Sequence, residues 1–210
     1  MVTLYGSRGS GSAAVEMALA RCGLPYREVR ASTWEPDSAQ EELRRVNPLG
    51  QIPTLVLDDG SVLTESAAIL IHLGLAHPSS GLLPAEPAAR AQAIRALVFL
   101  AANCYAAIGV IDYPERWIDG ARAATHERIR AAARQRLHGF WTVFADQFGA
   151  LLRPANPGAV DLLAAVVSRW SGARTHLAAQ RPAVHAALVA VESHPDTSAV
   201  FARHWPAAGS

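Results

Sequence analysis

The segment that most restricts what this chain can fold into is Asn47 to Leu73, NPLGQIPTLVLDDGSVLTESAAILIHL. It opens with a turn sequence, Asn47-Pro48-Leu49-Gly50, and continues as a strand, Ile52-Pro53-Thr54-Leu55-Val56-Leu57, with a proline at its mouth. Asp59-Gly60 is the two-residue signature of a tight hairpin, so a second short strand follows at Ser61-Val62-Leu63. Thr64-Glu65-Ser66 then starts an apolar helix carrying Ala68, Ile69, Ile71, His72 and Leu73. A proline at a strand start either sits on a sheet edge or follows a cis peptide bond. In the cis case the N–H and C=O of Ile52 turn outward, free to pair with an extended peptide. The N–H groups at the Glu65-Ser66 helix start form an anion site close by. A small acidic peptide suits that pair of features.

The rest of the chain supplies the context. Val2 to Tyr5 reads as a strand, and the loop Gly6 to Ser12 leads into a helix from Ala13 to Cys22 that Gly23 closes. Pro25 prevents continuation, and Tyr26 to Arg30 alternates as a second strand. Residues 38–46 form a short polar helix. The order β-α-β-α-β-β-α is thioredoxin-like. A Pro- and Gly-rich loop, His77 to Pro87, ends the strand-like sequence, and everything periodic from Ala88 onward is helical and alanine-rich. Breaks fall at Pro114, Pro154 to Gly158, Pro182 and Pro195. The chain therefore reads as an α/β thioredoxin-like domain at residues 1–77, a linker at 78–87 and an all-α domain at 88–210.

Composition narrows the function classes. Half of the residues are apolar and 18% are charged, so a sizeable core forms and disorder does not. A net charge of +1 gives no field for nucleic acid or an anionic membrane. Cys22 and Cys104 stand far apart, which argues against a disulfide framework, a redox pair or zinc. The eight histidines show no metal-ligand spacing, so no metal is expected. The N-terminus has no signal-peptide pattern, and no apolar run approaches the roughly 20 residues of a membrane span; a cytoplasmic protein is expected. Arg122, His126, Arg130 and Arg134 recur on one helix face, but Glu127 among them makes a solvated face. Gly9-Ser10-Gly11-Ser12-Ala13-Ala14 matches a dinucleotide fingerprint, with Arg30 where a phosphate-binding cation would stand. The hairpin and helical half that follow do not continue a parallel sheet, so a nucleotide is not expected.

Gln51-Ile52-Pro53, followed beyond a hairpin by Glu65-Ser66, resembles the glutathione-binding domain of the cytosolic glutathione transferases. The resemblance implies glutathione as co-substrate and its conjugation to a small apolar electrophile, a detoxification chemistry. It implies a homodimer in contact through the third and fourth helices. It places Ile52 against the cysteinyl backbone of glutathione and Glu65-Ser66 against its γ-glutamyl end, with Gln51 and Pro53 beside them. A thiol of pKa about 8.5 must be lowered by about two units, or roughly 2.7 kcal/mol, to be thiolate at neutral pH. One hydroxyl donating to the anion supplies about 1.5–3 kcal/mol.

The family draws that donor from Tyr, Ser or Cys; this chain offers Tyr5, Ser7, Ser10 and Ser12, of which Ser10, Ser12 and Tyr5 are the candidates. Gly11 stands where beta-class members carry a catalytic cysteine. Two of the candidates have a plainer alternative: Ser12 as a helix N-cap, Tyr5 as core. Ser10, between two glycines, has no evident structural reason to be serine. In the helical half, Ala91 to Ile108 reads as a long helix with Leu97, Val98, Leu100, Ala101 and Ala102 inward. The corresponding family helix borders the electrophile site, so Asn103, Tyr105, Tyr113 and Trp117 are its expected lining, or else core and interface. Gly158-Ala159-Val160-Asp161 stands where the family keeps a Ser/Thr-x-x-Asp capping box. The rival to an enzyme is a non-catalytic ligand-binding or protein-interaction module on the same fold.

Overall fold

A computed structural model of the chain describes residues 1–206. Its N-terminal part comprises β1 (Val2–Gly6), α1 (Ser12–Arg21), β2 (Tyr26–Arg30), α2 (Gln40–Val46), β3 (Thr54–Val56), β4 (Val62–Thr64) and α3 (Ser66–Ala76). The sheet order is β2-β1-β3-β4, with β1 parallel to β2 and the other pairings antiparallel. This is the thioredoxin-like arrangement expected from sequence. A dinucleotide fold would extend as parallel strands, whereas Thr3, Leu4 and Tyr5 pair antiparallel with Val56, Leu55 and Thr54.

Local chemistry sets the element ends. α1 stops because Gly23 takes φ +65°, letting Gly23 N–H reach Ala20 O (3.0 Å) and Leu24 N–H reach Leu19 O (3.0 Å), a Schellman pair. The β3–β4 loop has three residues instead of the two expected. Leu57 N–H bonds Ser61 O (2.8 Å), Gly60 N–H bonds Leu57 O (3.0 Å), and Gly60 sits at φ +83°. One left-handed glycine closes a type I turn as a bulge.

The C-terminal part is wholly helical: α4 (Pro87–Phe99), a π-helical segment (Leu100–Tyr105), α5 (Ala106–Asp112), α6 (Ala123–Phe148), α7 (Ala159–Val167), α8 (Ala173–Gln180), α9 (Pro182–Ser193) and α10 (Pro195–His204). Contrary to the expectation of no apolar run of spanning length, Pro87–Asp112 is one continuous 26-residue helix with a mean hydropathy of 1.9 in its apolar window. Its buried stripe of Ala93, Ala96, Leu97, Leu100, Cys104, Ala107, Ile108 and Ile111 lies in the core, as in an amphipathic core helix. That stripe turns Val98 and Ala102 outward, which corrects the inward placement expected of both.

Every residue of α7 is buried, and the helix packs on α1, α3, α4 and α9, so a single core joins the two halves. The Asp161 carboxylate accepts N–H bonds from Gly158 (2.9 Å) and Arg153 (2.6 Å). Gly158 is glycine for lack of room: a Cβ there would lie 2.9 Å from Leu82 O and collide with the Arg153 guanidinium. Gly158→Thr, which restores a capping hydroxyl, should therefore destabilise the fold. Overpacking costs about 1–3 kcal/mol, against a cap gain over glycine of only a few tenths. Urea denaturation tests this, and a more stable Thr variant would refute the packing explanation.

Candidate functional site

A cavity of about 550 Å³ opens between the two halves. The thioredoxin-like side contributes the loop before α1, the Asn47–Pro53 segment and the start of α3; the helical side contributes the π-helical segment, α5 and Trp170. Gln51, Ile52, Pro53, Glu65, Ser66, Tyr105 and Tyr113 all line it.

The Ile52-Pro53 peptide is cis. Buried Asn47 braces the segment: its side-chain amide donates to Gln51 O (3.0 Å) and Thr54 Oγ1 (3.0 Å), and Thr54 Oγ1 donates to Gln51 O (2.8 Å). These bonds occupy the Gln51 carbonyl. Among the described residues, neither the N–H nor the C=O of Ile52 has a protein partner. Asn47, read from sequence only as a turn residue, is thus what holds the open strand end in place.

At the other end, Glu65 adopts φ +64°, ψ 112°, a conformation non-glycine residues rarely take and one associated with functional sites. The first helical bond of α3 runs from Ile69 N–H to Glu65 O (3.0 Å), so the N–H groups of residues 66–68 precede the helical ladder. Together with the Ser66 hydroxyl they form a cradle for an anion.

The three expected thiol donors fare differently. Tyr5 is away from the cavity: it packs with Ala31 and Leu43, and its hydroxyl donates to Glu42 Oε1 on α2 (2.8 Å). Burial, then the Glu42 carboxylate, raise its phenol above the ordinary value. Ser12 is fully buried and is not the N-cap, a position held by Gly11. Its Oγ accepts from Ser7 N–H (3.3 Å) and lies 2.9 Å from Ser10 Oγ. Ser10 reaches the cavity wall, but its Oγ donates to Ser7 O (2.7 Å) and accepts from Ser12 N–H (3.2 Å). It therefore has the structural reason that sequence did not reveal: it closes the loop. Ser7 Oγ is engaged too, donating to Glu35 Oε2 (2.6 Å).

The loop is also held from the far end of the chain. His204 on α10 accepts Gly9 N–H at Nδ1 (3.2 Å) and meets buried Glu16 of α1 through Nε2 (2.5 Å). Accepting at Nδ1 places the ring hydrogen on Nε2, donated to the carboxylate. Arg203 adds an ion pair to the same carboxylate.

On the helical side, Asn103 does not line the cavity; its amide donates to Phe99 O in its own helix (3.1 Å). Trp117 is also off the wall and 65% exposed. Trp170 and Arg116 are there instead. Trp170 packs on Tyr105 with ring centroids 5.6 Å apart, and the Arg116 guanidinium lies 3.8 Å over the Tyr113 ring. Both occupy irregular connections where helical periodicity gives no signal. The Tyr105 hydroxyl sits against the loop, where a Cβ on Gly11 would collide with it and would come within 3.2 Å of Ser66 Oγ.

Thiol chemistry by the chain's own cysteines finds no support. Burial pushes the Cys104 thiol up to about 12, and burial also raises Cys22 against the opposing effects of Ser80 and Arg21. Among the described residues no group of three His, Cys, Asp or Glu could hold a metal.

The cavity thus brings together an open strand end beside the cis-proline, an anion cradle at the start of α3 and a wall from the all-helical part. Residues 12–75 match the family model described as glutathione S-transferase, N-terminal domain. The chain is 38% identical over 125 residues to an uncharacterized GST-like protein, YncG, of Escherichia coli K12, covering 58% of this chain and 59% of that one. It is 40% identical over 96 residues to a probable maleylacetoacetate isomerase of Caenorhabditis elegans, covering 46% and 44%. The chain thus spans about half the length of the curated relatives it matches. A glutathione transferase homolog from Sulfitobacter, solved with bound glutathione, superposes with a TM-score of 0.79 at 26% identity, covering 95% and 96% of the two chains. A sphingomonad glutathione S-transferase complexed with glutathione gives 0.76 at 26%, covering 98% and 100%. Residues 12–75 are thus similar to the N-terminal domain of the glutathione S-transferases, and nearly the whole chain is similar in structure to two of them solved with glutathione.

Proposed function

We propose that this chain binds glutathione and adds its thiolate to a small apolar electrophile. The observation that carries the reading is the unpartnered Ile52 backbone, which shares one cavity with the free N–H groups of α3. The cysteinyl backbone of glutathione pairs with Ile52 beside Pro53. The γ-glutamyl carboxylate takes the Ser66 hydroxyl and the α3 N–H groups, and Glu65 and Gln51 meet the ammonium and neighbouring polar atoms. The electrophile packs between the halves against Tyr105, Tyr113 and Trp170. Catalysis is positioning plus a lowered thiol pKa: the S–C bond forms as the leaving group departs with its electron pair. The bound glutathione in the Sulfitobacter and sphingomonad relatives supports this reading. The likeness to glutathione transferases supports extending the proposal to a cytoplasmic homodimer.

A second reading, a non-catalytic glutathione receptor, is favoured by one observation: the Ser10 and Ser12 hydroxyls are engaged within the loop. Conjugation to 1-chloro-2,4-dinitrobenzene, run beside calorimetric titration with glutathione, separates the two. The transferase reading expects turnover, with Ser66→Ala weakening glutathione binding by about 10- to 100-fold, as loss of a bond to a charged group does. Binding without turnover selects the receptor. Unchanged binding by Ser66→Ala would mean that the site is misplaced.

A further inference from the structure

Three features converge on Tyr105. The chain reaches it through the π-helical segment Leu100–Tyr105, an irregularity often found at functional sites. Trp170 packs on its ring. Its hydroxyl occupies the space that a side chain at residue 11 would fill, so Gly11 leaves the start of α1 open to a group from the other half. Resting on the glutathione reading above, we propose that Tyr105, lent by the helical half, is the hydroxyl that stabilises the glutathione thiolate.

The placement of the hydroxyls supports this. The Tyr105 oxygen lies against Gly11, near the Ser66 hydroxyl, at the cavity wall. Among the described residues its O–H donates to no other protein group, which leaves that hydrogen for a ligand in the cavity. The other hydroxyls near the loop are committed: Tyr5 to Glu42, Ser7 to Glu35, Ser10 to the Ser7 carbonyl. Burial, then the Glu65 and Asp112 carboxylates, raise the phenol well above its ordinary value, and the nearby Gly11 and Ser66 only partly oppose them. Tyr105 therefore stays protonated at neutral pH, as a neutral donor must. In the ionisation step the glutathione thiol releases its proton to water, Tyr105 keeps its own, and O–H donates to the sulfur anion.

The test is a pH titration of the thiolate absorbance of glutathione bound to wild type, Tyr105→Phe and Ser10→Ala, with occupancy fixed by calorimetry. The expected result is a midpoint about one to two units higher in Tyr105→Phe, the equivalent of one hydrogen bond to a charged group. At pH 6.5 its kcat/KM should be at least about tenfold lower. Its dissociation constant for glutathione stays within about threefold of wild type, which also shows that the variant is folded; Ser10→Ala leaves the midpoint in place. An unmoved midpoint in Tyr105→Phe, or an equal shift in Ser10→Ala, would overturn the assignment. So would weakened binding at an unchanged midpoint, which would make Tyr105 a carboxylate ligand. Failure of wild type to bind glutathione sinks the glutathione reading itself; binding with unmoved ionisation sinks only the role of Tyr105.

Discussion

Glu16→Ala should be among the most damaging single substitutions in the chain, lowering stability by about 1.5–3 kcal/mol, the usual worth of a hydrogen bond to a charged group. For a protein of this length that is roughly 5 °C in Tm. The Glu16 side chain is completely buried in α1 and holds His204 (2.5 Å) and Arg203 (2.5 Å) of α10. Burial alone would raise its carboxyl; the His204 bond and then the Arg203 guanidinium outweigh it and hold the group below its ordinary value of 4.5. The sign follows. A carboxyl depressed in the folded state adds stability that is fully present above its unfolded pKa and is lost as pH falls through the folded one. Thermal melts of wild type should therefore lose Tm below about pH 4.5, and Glu16→Gln should show a shallower acid slope. Equal slopes would mean that this carboxylate is not a net stabiliser. Because His204 also accepts the Gly9 N–H, the variant should loosen the site loop as well.

Gly11→Ala should have the second-largest effect, and chiefly on function. The added Cβ would overlap the Tyr105 hydroxyl and press on Ser66 Oγ, at 3.2 Å. Either Tyr105 leaves the loop or α1 shifts, at a cost of about 1–3 kcal/mol. With both the helix start and the phenol displaced, glutathione binding should fall at least about tenfold, or about 1.4 kcal/mol. The clash is with one oxygen, so Tyr105→Phe in the Gly11→Ala background should recover much of the lost stability. A double-mutant cycle by urea denaturation should give a coupling of about 0.5–3 kcal/mol, the range for residues in contact. Additive losses would show that the two residues do not meet.

Period and punctuation carry the fold plainly in this chain. Gly23 marks the end of α1, Asp59-Gly60 the hairpin, and Glu65-Ser66 the start of α3. The length of the hairpin loop is not legible, because the same Asp-Gly pair serves a two-residue turn and a three-residue bulged loop; only the Leu57–Ser61 pairing decides between them. The site was half legible. Gln51-Ile52-Pro53 and Glu65-Ser66 lie on one local segment, so spacing alone brings them together. Ser10, Ser12 and Tyr5 could not be judged that way, because whether a hydroxyl is free depends on partners such as the Ser7 carbonyl and Glu42. The role of Tyr105 at the loop depends on a contact between residues 11 and 105, which no local pattern encodes. Asn103 and Trp117 were placed by proximity along one helix and its sequel, but the helical stripe and the irregular turn at Pro114–Arg116 direct them elsewhere.

The central proposition is that glutathione lies across the Ile52 backbone and the α3 start. Amide-resolved NMR of the 15N-labelled protein, titrated with reduced glutathione, tests it directly. Saturable shifts should concentrate at Ile52, Ser66 and Ala67, with Gly11 following as the thiol settles, and Ser66→Ala should weaken all of them together. Shifts that spare Ile52 and Ser66, or none at millimolar glutathione, would contradict it.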